Sequence, residues 1–411
     1  MTGGTTENAP REPGPGQKKE PSILQRMVGT QASLREVVLV PVLAVFTALV
    51  VGVIVIIFTD PVLYGVLGDQ GFGAWVGEAL SAVGSAYAAL YRGSLGSLNS
   101  ISETLVSSSP VILAGLSVAV GFRAGLFNIG GEGQMIVGGL MAVIAGFWLD
   151  FLPPVLHLFV AVFVGFVGGM LYGGIAGLLK ARTGAHEVIT TIMLNNIAGF
   201  GLVWLLKTDF VRVPERSDPV SKSIAESAQY PRLLGFIDPN LRVHLGFVVA
   251  LLVAWGVWWM LFRSTIGYQF RAVGFNPDGA RYGGMRVSLL YMAVMGVAGG
   301  LAGMAGADTT LGVLYRGTPG FSAGLGFDAI GLALLGRSHP LGVVLAGLLF
   351  GALEAGGRQM QIATSVPIDL VQIVQALVIV FIAAPALVRG LFRLRKEGAE
   401  GPAQVTSGWS A

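Results

Sequence analysis

The chain has 411 residues, 53% of them hydrophobic and only 12% charged, with 61 glycines, no cysteine and a formal net charge of +3. With a mean hydropathy of +0.72, where soluble domains are roughly a quarter charged, it reads as a polytopic membrane protein with no room for a large soluble domain. The missing cysteines exclude disulfides and thiolate metal or redox chemistry. So small a net charge gives no ground for a nucleic-acid partner.

Residues 1–36 are polar and rich in Pro, Gly, Lys and Glu, which predicts a disordered cytoplasmic tail without a signal peptide. An apolar run from Val37 to Phe58 is long enough to cross a bilayer. The extracytoplasmic stretch 59–105 is less apolar, and Trp75, Tyr87 and Tyr91 at helical spacing suggest an amphipathic helix at the interface. Further runs follow at Pro110 to Phe122, Met135 to Trp148, Val155 to Leu179, Val188 to Leu206, Leu245 to Phe262, Leu289 to Ala305, Gly324 to Leu335, Leu341 to Ala355 and Ile368 to Leu387. The expectation is an all-α transmembrane bundle over 37–388 with about ten crossings. The run ending at Leu335 and the pair flanking residues 125–134 are short, which marks them as broken or re-entrant helices.

Most of the 26 Lys and Arg residues fall on one side when the N-terminus is placed inside. Both termini, including a tail over 389–411, are then cytoplasmic, as is the loop 263–287. The extracytoplasmic loop 207–242 is the exception, because it carries several basic residues nearly balanced by acids. Gly165, Gly169, Gly173 and Gly177 recur every four residues and present bare backbone on one helix face, a packing device for a close neighbour.

Catalytic patterns fail on inspection. No phosphate-cradling Gly-x-x-x-x-Gly-Lys-Ser/Thr occurs, and His186-Glu187 lacks the second histidine of a zinc helix because Thr190 stands at that position. The four histidines have no metal-ligand spacing, and nothing implies a cofactor. Gly320-Phe-Ser-Ala-Gly324 matches a nucleophile elbow, but a chance match is expected in so glycine-rich a chain.

Three segments stand out from composition. Gly125-Leu-Phe-Asn-Ile-Gly-Gly-Glu-Gly-Gln134 places Asn128, Glu132 and Gln134 between apolar runs; it is either an unwound helix facing a cavity or a turn between helices. Thr191 and Asn195 share one face of the next-but-one span, where they line an aqueous groove or hydrogen-bond a neighbour. In the loop 263–287, Asn276-Pro277-Asp278 reads as a helix start and Gly283-Gly284 as its stop. The short helix, with Arg281 and Tyr282 exposed, either docks into a partner's groove or is a membrane-surface loop.

Together these segments resemble the permease subunits of bacterial ATP-binding-cassette importers, in the branch for nucleosides, ribose-type sugars and branched-chain amino acids. The nearest likeness is to nucleoside permeases served by basic-membrane-protein-type lipoproteins. Gly93-Ser-Leu-Gly-Ser97, Glu103-Thr-Leu105, Gly121 through Gln134, Glu187 through Asn195, Arg271 through Pro277 and Gly326 through Ile330 carry it, with Ala333 to Arg337 and Pro340 to Gly342. The resemblance implies a multi-pass protein of the bacterial plasma membrane without its own ATPase, moving nucleosides or, alternatively, ribose-type sugars. Its partners would be a second homologous permease, ATPase subunits, a solute-binding lipoprotein, the lipid bilayer and the small-molecule substrate. Arg271, Asn276, Asp278 and Arg281 would couple to the ATPase, while Phe127, Asn128, Glu132, Gln134, Thr191 and Asn195 would line the path. A self-sufficient secondary transporter is the rival, disfavoured because mid-span acids are few, chiefly Glu354, with Asp308 and Asp328 nearer span ends. An intramembrane hydrolase using Ser322 is the remaining alternative.

Overall fold

The computed structural model describes residues 34–384 apart from 215, 217, 365 and 368, together with 391 and 392. The tails expected at either end lie outside these residues, except for 34–36, which open the first helix, and 391 and 392. Regular structure among the described residues is helical, and only the isolated bridges Arg212 to Ser221 and Arg232 to His244 resemble strand pairing.

Among the described residues, each apolar run of the sequence coincides largely with a helix. In chain order these are α1 (Leu34–Thr59), α2 (Pro61–Gln70), α3 (Phe72–Ser94), α4 (Leu98–Arg123), α5 (Gly131–Trp148), α6 (Pro154–Thr183) and α7 (Glu187–Leu205). After the 207–244 loop come α8 (Leu245–Arg263), α9 (Thr265–Phe275), α10 (Pro277–Tyr282), α11 (Val287–Thr309), α12 (Leu325–Leu335), α13 (Pro340–Thr364) and α14 (Asp369–Ala383). Among the described residues, 7 helices are long and apolar enough to cross a membrane, with Leu325–Leu335 and Asp369–Ile382 as shorter apolar helices. The chain is a multi-pass, all-α membrane protein.

Local signals explain the helix ends. Ser97 caps α4 by accepting the Ser100 N–H at 3.0 Å, and Asn276 caps α10 by accepting the Gly279 N–H at 2.9 Å, with Pro277 at the first position. Gly184 ends α6 at φ 70°, the left-handed value glycine tolerates. α4 is longer than its apolar run because its first turns are rich in serine and threonine.

The core is built on α6 against α11. The glycine ladder of α6 meets a second one, so that Gly169 faces the Gly299 carbonyl and Gly303, Gly173 faces Met295 and Gly299, and Gly165 faces Ala307. Backbone-to-backbone approach of this kind replaces the hydrophobic drive that lipid removes. A methyl at Gly169 would overlap the Gly299 carbonyl, whereas one at Gly174 on the same helix meets nothing within 4 Å. Gly169→Ala should therefore destabilise by about 1–3 kcal/mol through overpacking. Gly174→Ala should leave stability unchanged or raise it by up to about 1 kcal/mol. Equal thermal-melting midpoints for the two variants in detergent would refute this packing.

Two interruptions between helices position the site. Between α4 and α5 the chain runs through residues 124–130 without helix. After α11 a π turn at Thr310–Leu314 ends at Tyr315, φ 56°, and residues 316–324 lead to α12, whose start lies against the start of α5. Arg123, Arg263, Arg271, Arg281, Arg286 and Arg337 gather at one end of the bundle, here the basic end. The 207–244 loop closes the far end, where Gly146 packs on Ile224 and Ala142 on the same cluster as Tyr230.

Candidate translocation and coupling site

The N-termini of the two broken helices meet. A Cβ at Gly131 would lie 3.1 Å from the Gly326 carbonyl, and one at Gly326 would overlap the backbone of Glu132, so only glycine permits this crossing. Glu132 lies between them, 9% exposed. Its carboxylate accepts the Ser322 hydroxyl, the Gly324 N–H at 3.3 Å and the Gly326 N–H at 2.9 Å. It thereby caps α12 with a negative charge at the positive end of the helix dipole. Ser322, which falls within the nucleophile-elbow pattern of the sequence, is a partner of this carboxylate.

The other polar groups of the step are satisfied by protein. Asn128 and Gln134 exchange side-chain hydrogen bonds, Asn128 Nδ2 donating to Gln134 Oε1 at 2.9 Å and Gln134 Nε2 donating to Asn128 Oδ1 at 3.1 Å. Asn128 Oδ1 also accepts the Gly130 N–H at 3.0 Å. Asn195 reaches from α7, its Oδ1 accepting the Gly133 N–H at 2.8 Å and its Nδ2 donating to the Ile129 carbonyl at 2.9 Å. Thr191 bonds back to the Glu187 carbonyl of its own helix at 2.7 Å while its Cβ side abuts Gly130. Phe127 stacks on Phe122 with centroids 5.1 Å apart. Glu187, paired with Lys180 at 2.6 Å, also reaches the Phe127 backbone. The six residues singled out around the break thus converge on one junction of α5, α7 and α12.

At the basic end the coupling candidates separate into two groups. Asn276, Asp278 and Arg281 are exposed on α10, with Arg281 paired to Asp278 at 3.0 Å. Phe275 and Tyr282 flank them, 73% and 95% exposed, and no core position accounts for two such aromatics. Arg271 instead turns inward, its guanidinium 5.4 Å from the centroid of Phe262, the same ring that Arg123 approaches at 5.4 Å. Arg123 donates to the Ser338 and Arg337 carbonyls at 2.9 and 3.2 Å, satisfying the end of α12 where both residues have left-handed φ. The turn at Gly125 lies directly on α9, since a Cβ there would sit 3.0 Å from Gly274 Cα. The segment 263–287 therefore touches the polar step through backbone.

Residues 100–383 match the family described as the permease component of the branched-chain amino acid transport system. The chain belongs to that family. The permease is 41% identical over 319 residues to the guanosine ABC transporter permease protein NupP of Bacillus subtilis (strain 168), covering 77% of this chain and 90% of that one. It is 32% identical over 306 residues to the nucleoside ABC transporter permease protein NupB of Lactococcus lactis subsp. cremoris (strain MG1363), covering 74% and 84%. It is also 32% identical over 382 residues to the glucose ABC transporter permease protein TsgB13 of Haloferax volcanii, covering 90% and 93%. No solved structure matches it.

Proposed function

We propose that this permease is the membrane-spanning subunit of a nucleoside importer in a bacterial plasma membrane, driven by a separate ATPase. The observation that carries the reading is the 41% identity to a guanosine permease along nearly that protein's whole length. No phosphate-cradling motif exists in the sequence, so ATP hydrolysis belongs to a partner. A second homologous permease subunit is a further partner in this reading; the guanosine permease proteins NupP and NupQ of Bacillus subtilis are both relatives of this chain. A solute-binding lipoprotein completes the assembly at the far end.

In this reading α10 docks on the ATPase through Phe275, Asn276, Asp278, Arg281 and Tyr282, and Arg271 ties that surface to Phe262. Asn128, Glu132, Gln134 and Asn195 exchange their present hydrogen bonds for a substrate when α5, α7 and α12 part, with Phe127 and Thr191 lining the same path, which keeps amide-rich groups satisfied in both states. A simple-sugar permease is the second reading, favoured by the Haloferax volcanii relative.

Reconstitution with the partner permease, ATPase and binding lipoprotein should give ATP-dependent uptake of labelled guanosine that unlabelled glucose does not compete away. Competition by glucose alone would replace the nucleoside reading with the sugar one. Uptake by this chain alone under an ion gradient would overturn both.

A further inference from the structure

The far end of the bundle holds a buried polar cluster separate from the path and coupling residues. Asp308, in the last turn of α11, is fully buried, and neither carboxyl oxygen has a hydrogen-bond partner among the described residues. His244, the cap residue of α8, is 1% exposed. Its Nδ1 accepts the Gly246 N–H at 3.2 Å, which puts the ring proton on Nε2, and that atom too is unpartnered. The two side chains meet across Gly246, where a Cβ would overlap Asp308 Oδ1 and lie 2.7 Å from His244 Nδ1. From α4, Ser109 turns a further unpartnered hydroxyl toward the carboxyl without closing a hydrogen bond of ordinary geometry. Four orphaned polar atoms from three helices in one buried cluster are not a packing accident, because each costs about 1–3 kcal/mol when unpaired.

A route to solvent adjoins the cluster. Tyr230 stacks on the His244 ring with centroids 5.5 Å apart, and it lines a cavity of about 570 Å³ shared with Glu226, Arg232 and Tyr315. Tyr315 ends the π turn whose Gly312 abuts the other side of the same imidazole. π turns inside helices recur at functional sites.

An ionised carboxylate with no donor in such surroundings is far less favourable than the neutral acid. We propose that Asp308, with His244 and Ser109, forms a proton-binding site that stays protonated while the far ends of α8 and α11 are packed together. When they separate, the Asp308 O–H bond breaks, the electron pair stays on the carboxylate and the proton passes to water in the Tyr230 cavity. The titratable groups around it are few. His244 is held neutral, pushed down to about 4 by burial and by Arg242, which itself pairs with Glu103 at 3.2 Å. Tyr230 from the loop is neutral because burial raises its phenol. α5 and α6 pack on this stretch through Gly139 and Gly165, and His157 of α6 is committed to Ser227 and the Ala145 carbonyl.

The test is infrared difference spectroscopy of the assembled complex in lipid, titrated across the neutral range. The wild type should carry a carboxylic C=O band that disappears on alkalinisation, is absent from Asp308→Asn, and disappears at higher pH in Ser109→Ala, which lacks the nearest hydroxyl able to stabilise the carboxylate. Identical bands in wild type and Asp308→Asn would refute the site. If Asp308→Asn does not fold, Ser109→Ala decides alone, and an unmoved midpoint refutes it. The readout needs no transport, so it stands or fails separately from the nucleoside reading.

Discussion

Glu132→Ala is expected to lose about 3–5 kcal/mol of stability, the range for removing the charged partner of buried donors. Three donors lose their acceptor at once, namely the Ser322 hydroxyl and the Gly324 and Gly326 N–H groups. Two of them cannot turn to water, because Ser322 is 2% exposed and Gly326 is buried, whereas Gly324 is only partly buried. Glu132→Gln keeps one carbonyl acceptor but sets an NH2 group against N–H donors, so an intermediate loss is expected. Glu354→Gln serves as the control, since that carboxylate is half-exposed and only 3.9 Å from Arg358; its effect should stay within about 0.5 kcal/mol. Thermal melting in detergent ranks the three. A Glu132→Ala midpoint equal to wild type would show that the carboxylate is not the cap of α12.

The position of that cap also marks the limit of what the sequence discloses. The break before Gly131 is legible, because a glycine-rich polar step between short apolar runs carries groups that hydrocarbon cannot solvate and so interrupts the crossing. The re-entrant start of α12 is legible as a run too short to span. Their meeting is not, because 190 residues separate Glu132 from Ser322 and no periodicity relates a loop to a distant helix end. Ser322 instead draws notice through a chance motif. The first turns of α4 escape for another reason: hydropathy scores serine and threonine as polar. Here Ser108 donates to the Thr104 carbonyl at 2.6 Å and Thr104 to the Ser94 carbonyl at 2.8 Å, so their hydroxyls are satisfied by backbone in an apolar setting. Small hydroxyl residues then admit α13, whose Gly351 packs on Ser108. The α10 helix start is legible from Asn276 and Pro277, while the inward turn of Arg271 depends on Phe262 from another helix and is not.

Gly274→Ala is expected to uncouple ATP hydrolysis from uptake. A Cβ at this position would lie 2.5 Å from the Arg123 carbonyl oxygen and 2.7 Å from the Ala124 carbonyl carbon. Both obstacles are backbone, so the clash cannot be relieved by a rotamer change, and the end of α9 must withdraw from the turn at Gly125. That contact joins the exposed α10 surface to the broken helix carrying Glu132. If α10 docks on the ATPase as proposed, a rigid push crosses this contact only while the two backbones touch. Uptake per ATP hydrolysed should fall about tenfold, equivalent to about 1.4 kcal/mol, while basal hydrolysis changes little because the exposed α10 face is untouched; the melting midpoint should fall, as for Gly169→Ala. Gly283→Ala lies in the same loop, at φ −73° and with its nearest neighbour 3.4 Å away, and should leave the ratio unchanged. If both variants preserve the ratio, the Gly125 to Gly274 contact is packing, and the force must pass through Arg271, Phe262 and Arg123 instead. If only Gly274→Ala lowers it, the polar step moves with α9 and α10 through the Gly125 to Gly274 contact.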